Sequence, residues 1–192
     1  MEPTQDSENS SERTEQDFIK NAEKSYELPA WRMYEIIQLA VETLCASDYY
    51  SEKFDYKKMI RGAGVKIKKF SSFTPESLAK IRNISVSRWK NGVCLIFKDH
   101  ETGEEGRMIA YDDALEEKEV LFIILHEFGH IKLMHTQQSI HGEIEANCFA
   151  TAMLVFILTE RQFHFGNEIV KREGKKFLVQ GLVDAITRRR VI

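Results

Sequence analysis

Residues Val120 to His130 read VLFIILHEFGH, and this stretch decides the fold. Six apolar residues without Pro or Gly lead into His126-Glu127-Phe128-Gly129-His130, as a helix buried in a core requires. On a helix the two histidines, four apart, lie about 40° apart in azimuth and roughly 6 Å along the axis, so they share a face. Both imidazoles can then reach one tetrahedral Zn²⁺ at about 2.0–2.1 Å. Glu127 follows the first ligand, where a carboxylate can act as general base toward a water activated by the metal. Gly129, lacking a side chain, lets a neighbouring strand or a substrate approach the helix closely.

A catalytic zinc takes three protein ligands and keeps a fourth position open. After twelve intervening residues comes Glu143-Ile144-Glu145-Ala146-Asn147. Glu143 and Asn147 are four apart and share a helical face. Glu143 is the preferred third ligand, with Asn147 hydrogen-bonding the free ring nitrogen of a histidine ligand. Glu145 points roughly 200° away from Glu143 on the same helix and is the alternative. Ala150 is small enough to let this second helix come close to the first. His135 falls one residue short of the last ligand in H-E-x-x-H-x-x-G-x-x-H, and Leu133 replaces that pattern's glycine, so the longer motif is absent. His141 is a further candidate from the loop; His100 and His164 read as surface residues.

Outward from the motif, the pattern predicts a mixed chain. A helix runs from Pro29 to about Ala46, with Trp31, Tyr34, Ile37, Val41 and Leu44 at helical spacing. Val65 and Ile67 alternate with lysines as a half-buried strand. Thr74 caps a short helix that Pro75 opens and that reaches about Ile81. Ile84–Lys90 and Val93–Lys98 flank Asn91-Gly92, a strong hairpin signal. Arg107–Tyr111 is a further strand. Asp113 and Glu116, three apart, suggest a capping box that starts the motif helix near Ala114, and that helix ends near His135. A second long helix covers about Glu143 to Leu158, followed by two helices near Glu160–Phe165 and Phe177–Arg190. The fold class is α+β, a small, mostly antiparallel sheet packed on helices.

Residues 1–27 carry eight acidic and three basic side chains and few apolar ones, which predicts a disordered acidic tail. The domain then spans 28–192, with 158–192 as a helical C-terminal extension. Its balance of +2 is near neutral and gives no reason to expect a nucleic-acid surface; Arg188-Arg189-Arg190 reads as a helix C-terminus that suits cations. The longest nearly apolar stretch, Phe149 to Leu158, is shorter than the roughly 20 residues that span a bilayer. The polar N-terminus lacks a signal-peptide core. Cys45, Cys94 and Cys148 are odd in number and scattered, reading as free thiols in a reducing compartment, the cytoplasm by default.

FIILHEFGH (Phe122–His130) followed by EIEANCFA (Glu143–Ala150) resembles the ImmA/IrrE family of metallopeptidases, whose members carry F-x-x-A-H-E-x-G-H and E-x-E-A-N-x-F-A helices. The resemblance covers roughly residues 30–158. It implies a zincin-like fold and one zinc held by His126, His130 and a glutamate of the second motif, with Glu127 as base. It also implies a protein substrate such as a helix-turn-helix transcriptional repressor. Leu125 stands where alanine is usual, Leu121 where arginine often occurs, and no proline follows Met153-Leu154; none of these is a zinc ligand. No helix-turn-helix signature is visible, so no direct DNA contact is expected. The strand Arg107–Tyr111 is the candidate to line the cleft and receive an extended substrate, with Tyr111 as core or rim packing rather than an oxyanion donor. The alternatives are a non-catalytic metal-binding regulator that binds a partner in its cleft, and a small-molecule hydrolase using the same zinc.

Overall fold

A computed structural model describes residues 27–47, 54–87, 89–98 and 103–163, with side chains described to Leu158. Residues 1–26 of the expected acidic tail, His100, His164 and the helix near Phe177–Arg190 lie outside the described residues. Among the described residues the elements run α1 (Ala30–Cys45), α2 (Tyr56–Gly62), β1 (Val65–Lys69), α3 (Pro75–Ile84), β2 (Gly92–Lys98), β3 (Glu105–Tyr111), α4 (Glu117–Lys132) and α5 (Ile140–Phe163). The class is α+β.

Helix α4 is the centre of the packing. It lies between the sheet, which it meets through β2 and β3, and α5, which in turn packs against α1. Val120, Leu121, Ile123, Ile124, Leu125 and Phe128 are all buried, so this helix is apolar nearly all round, as an interior helix must be. Gly129 is where α5 comes closest: a Cβ there would sit 3.2 Å from Phe149 Cδ1 and 3.3 Å from the Ala146 backbone. The glycine therefore admits a helix, at Ala146 rather than Ala150, and not a strand or substrate.

The sheet order is β1-β3-β2, with β1 parallel and β2 antiparallel to β3. It is mixed rather than mostly antiparallel. On one face Cys94, Ile109 and Tyr111 join the main core; on the other, Val93 and Ala110 meet Phe70, with Phe73, Leu78 and Ile81 around them. Strand β3 is central and paired on both sides, which removes it as a substrate edge. Tyr111 is buried, its hydroxyl 3.4 Å from Lys57 Nζ.

The expected hairpin at Asn91-Gly92 does not form, because serines take over the bonds a ladder would need. Ser85 Oγ donates to the Cys94 carbonyl and accepts from the Cys94 amide, each at 3.2 Å. It also accepts from Ser87 N, and Ser87 Oγ accepts from Trp89 N. Such local side-chain-to-backbone bonds compete with strand geometry. Val86 N still donates to Cys94 O at 3.2 Å, a remnant of the expected pairing.

Other boundaries shift by a few residues. Helix α1 buries Met33, Ile36, Ile37, Ala40, Val41 and Leu44, leaving Trp31 and Tyr34 exposed, so its inner face is rotated from the stripe those aromatics suggested. Asp113 does not cap α4; it accepts from Ser71 N and Ser71 Oγ, and the helix starts after Glu116, whose amide donates to Glu119 Oε2 at 3.2 Å. Thr74 does cap α3, accepting from Ser77 N. Helix α4 stops at Lys132 rather than near His135, with Met134 left-handed at φ 56°. Helix α5 begins at Ile140, three residues before Glu143, and its backbone continues through the expected start of a separate helix at Glu160. Its Ile140–Leu158 window is long and apolar enough to cross a bilayer, but half of it is buried inside the fold and Glu143 sits in its first turn. Core packing accounts for that apolarity.

Candidate metal centre

Two helices build the centre. His126 and His130 project from one face of α4, and Glu143 comes from the first turn of α5, held against α4 by the Gly129–Ala146 approach. All three are buried. His126 Nε2 lies 3.2 Å from His130 Nε2 and 3.2 Å from Glu143 Oε2, and His130 Nε2 lies 3.5 Å from Glu143 Oε1. A tetrahedral zinc with ligands at 2.0–2.1 Å has edges of about 3.3–3.4 Å; the two ring nitrogens are spaced close to that, and each faces a different oxygen of the Glu143 carboxylate at a similar distance. These three residues can hold a metal ion.

The chemistry of the donors agrees with the distances. His126 Nδ1 is 2.9 Å from Asn147 Oδ1; an amide oxygen only accepts, so Nδ1 carries the ring proton and Nε2 presents a lone pair. Burial pushes the His130 imidazolium down to about 3, His126 adding to the effect against the pull of Glu143, so the ring is neutral and can ligate. A lone pair and a carboxylate oxygen 3.2 Å apart repel unless a cation or a proton lies between them.

Glu127 points elsewhere. It is fully buried, and Ser87 Oγ donates to its Oε1 at 2.9 Å. Its Oε2 is buried and has no hydrogen-bond partner among the described residues, which leaves it free to meet a water or a ligand. Burial drives the carboxyl well above its usual range; the Ser87 hydrogen bond opposes this and the Glu143 charge adds to it. Gly92, the first residue of β2, lies directly over this carboxylate. A Cβ there would fall 2.5 Å from Glu127 Oε1 and 2.7 Å from Ile123 Cγ2. Gly92→Ala is therefore expected to cost about 1–3 kcal/mol, the range for overpacking a dense core, and to displace Glu127. Denaturant unfolding checks the first effect; a variant as stable as its parent would show that β2 can move away freely.

Glu145, the alternative ligand, is not in the cluster. Arg32 of α1 donates to both of its oxygens at 2.8 Å, and the guanidinium holds its carboxyl below the ordinary range. His141 is exposed and also lies outside the three-residue group. Three further neighbours are not visible in the motif spacing. Trp89 stacks on His126 with ring centroids 4.3 Å apart, Ser87 holds Glu127, and His135 Nδ1 lies 2.9 Å from His130 Nδ1. Gln138 Nε2 donates to the Ser85 carbonyl at 2.9 Å, tying the loop after α4 to the segment that carries Ser87 and Trp89. The alternation Ser85, Ser87, Trp89 was the available signal: residues two apart on an extended segment face one way. No protein-family model, curated protein or solved structure matches this chain.

Proposed function

We propose that this chain is a zinc-dependent endopeptidase of the ImmA/IrrE type with a zincin-like fold. One observation carries the proposal: two ring nitrogens and the Glu143 carboxylate converge within reach of one ion, and the residue after the first histidine is a buried carboxylate with one oxygen unpartnered among the described residues. A purely structural zinc site is closed by four protein ligands and has no use for a base beside it. Bound at His126, His130 and Glu143, Zn²⁺ would supply a Lewis acid for the scissile carbonyl and acidify the attacking water.

The remaining roles belong to the protein. Glu127 takes the proton of the attacking water at Oε2 and delivers it to the leaving amine as the peptide bond breaks. Its raised basicity suits a group that must accept a proton and then release it. Ser87 holds Oε1, which leaves Oε2 as the oxygen that takes the proton. Asn147 fixes the His126 tautomer, and Trp89 covers that imidazole from above. The outer backbone of β2 is taken at Cys94 by Ser85 and Val86. A bound peptide would therefore run beside the Ser85–Trp89 segment and not along β3. The substrate is a protein, with a helix-turn-helix repressor as the class that the motif resemblance suggests, and the compartment is the cytoplasm, where the three free thiols stay reduced.

Protein purified without chelators is expected to contain one zinc per chain by elemental analysis. Incubated with helix-turn-helix repressors, it should yield fragments whose masses sum to the substrate plus one water. Chelation should stop cleavage and added zinc restore it. Persistent absence of zinc uptake sinks the site; zinc without cleavage of any such repressor leaves the non-catalytic regulator in its place.

A further inference from the structure

His135 stands outside the motif, yet the end of α4 folds it back onto a ligand. Leu133 N donates to Gly129 O, Met134 N to Ile131 O, and His135 N to His130 O at 3.0 Å. The last two bonds close a helix end in the pattern that normally places glycine at the left-handed position. Here that position is Met134, at φ 56° and largely exposed. A left-handed backbone is unfavourable for a non-glycine residue, and Met134 offers no buried packing to offset it. The turn carries the His135 ring to His130.

A chain of four side chains results. His130 Nδ1 lies 2.9 Å from His135 Nδ1, and His135 Nε2 lies 3.1 Å from Glu145 Oε2. Glu145 in turn accepts from Arg32 Nε and Nη2, each at 2.8 Å. Glu145 is a carboxylate paired with a guanidinium and only accepts, so the proton facing it belongs to His135 Nε2. The two Nδ1 atoms, 2.9 Å apart, leave room for one proton between them, and His130 Nε2 can ligate only if His130 holds that proton. The single proton between the two rings must sit on His130 Nδ1, which leaves His130 Nε2 with a free lone pair facing His126 and Glu143.

We infer that His135 is a positioning residue for His130, fixing its metal-binding tautomer and anchoring it through Glu145 to Arg32 of α1. Ligand histidines generally donate their other ring N–H to an acceptor that sets orientation and basicity. Asn147 does this for His126. His135 does it for His130, and Glu145, though not a ligand, contributes from one step further out. The inference rests on the metal site proposed above and deepens it.

The test uses the full chain and Zn²⁺ in competition with a chelator of known affinity. His135→Leu removes the acceptor and should weaken zinc binding by about 10- to 100-fold, the range for losing such a partner. His135→Gln offers an amide oxygen to His130 and an N–H to Glu145, and should recover most of that loss, which a residue needed only for packing would not show. Long-range ¹⁵N spectra of the zinc-loaded parent should place the ring protons on His130 Nδ1 and His135 Nε2, a reading that needs no variant to fold. A parent that takes up no zinc overturns the metal site itself. Tight parental binding with His135→Leu unchanged, with Leu and Gln equally impaired, or with a proton on His135 Nδ1, overturns this inference alone.

Discussion

Glu127→Gln is expected to yield a folded, zinc-loaded protein whose peptide hydrolysis has fallen by about 10²- to 10⁴-fold, the usual contribution of a positioned general base. The substitution preserves size in a fully buried position. Its amide oxygen can still accept from Ser87 Oγ, which now donates to Oε1 at 2.9 Å. What disappears is the ability of the second atom to take a proton. Removing a carboxyl whose ionisation burial disfavours does not remove a stabilising ion pair, so loss of fold is not expected. The three measurements are zinc content, far-ultraviolet circular dichroism and the rate at which fragment masses appear. Parental turnover would mean that Glu127 is not the base. Joint loss of zinc, fold and activity would instead make it a structural group.

The same carboxylate shows what a sequence of this kind can and cannot reveal. Helix α4 was legible because its apolar run and its four-residue histidine spacing are local properties of one helix. Strand positions were legible for the same reason, since Val65 and the 92–98 and 105–111 segments carry their own patterns. Partnerships were not. Asn91-Gly92 suggests a hairpin only if nothing competes for the backbone; Ser85, Ser87 and their mutual bonds do compete, and the strand expected before Asn91 became the segment that reaches Glu127 and His126. The parallel pairing of β1 with β3 depends on residues some forty positions apart, which no local pattern records. On α1 the large aromatics Trp31 and Tyr34 suggested an inner face, but smaller residues pack there against α5. His135 was hidden by a different route. Its approach to His130 depends on a left-handed Met134, at a place where the sequence has no glycine to announce the turn.

Glu143→Ala should weaken zinc binding by more than any other single change in the second motif, beyond the roughly 100-fold upper end of losing an outer partner. It deletes one corner of the three-atom group and leaves two imidazoles, 3.2 Å apart, without the negative charge that balances the ion. Glu145→Ala acts at a distance. Sequence spacing alone would leave zinc nearly untouched, because the two glutamates point to different sides of α5. The structure changes that expectation: Glu145 orients His135, which faces His130, so its loss should cost an intermediate amount, at most about 10- to 100-fold. Asn147→Leu, which frees His126 Nδ1, belongs in the same range. Chelator competition on the three variants orders them. If Glu145→Ala lost zinc while Glu143→Ala kept it, the ligand assignment would reverse and Asn147 would leave the site. If Glu145→Ala and Asn147→Leu both bound like the parent while Glu143→Ala failed, the ligands would stand and the outer hydrogen bonds would carry no affinity. The predicted order, Glu143→Ala well below the other two and those two below the parent, follows from one geometric fact. Only Glu143 of these three side chains is close enough to touch the ion, while the other two each touch a histidine or reach one through a single intermediary.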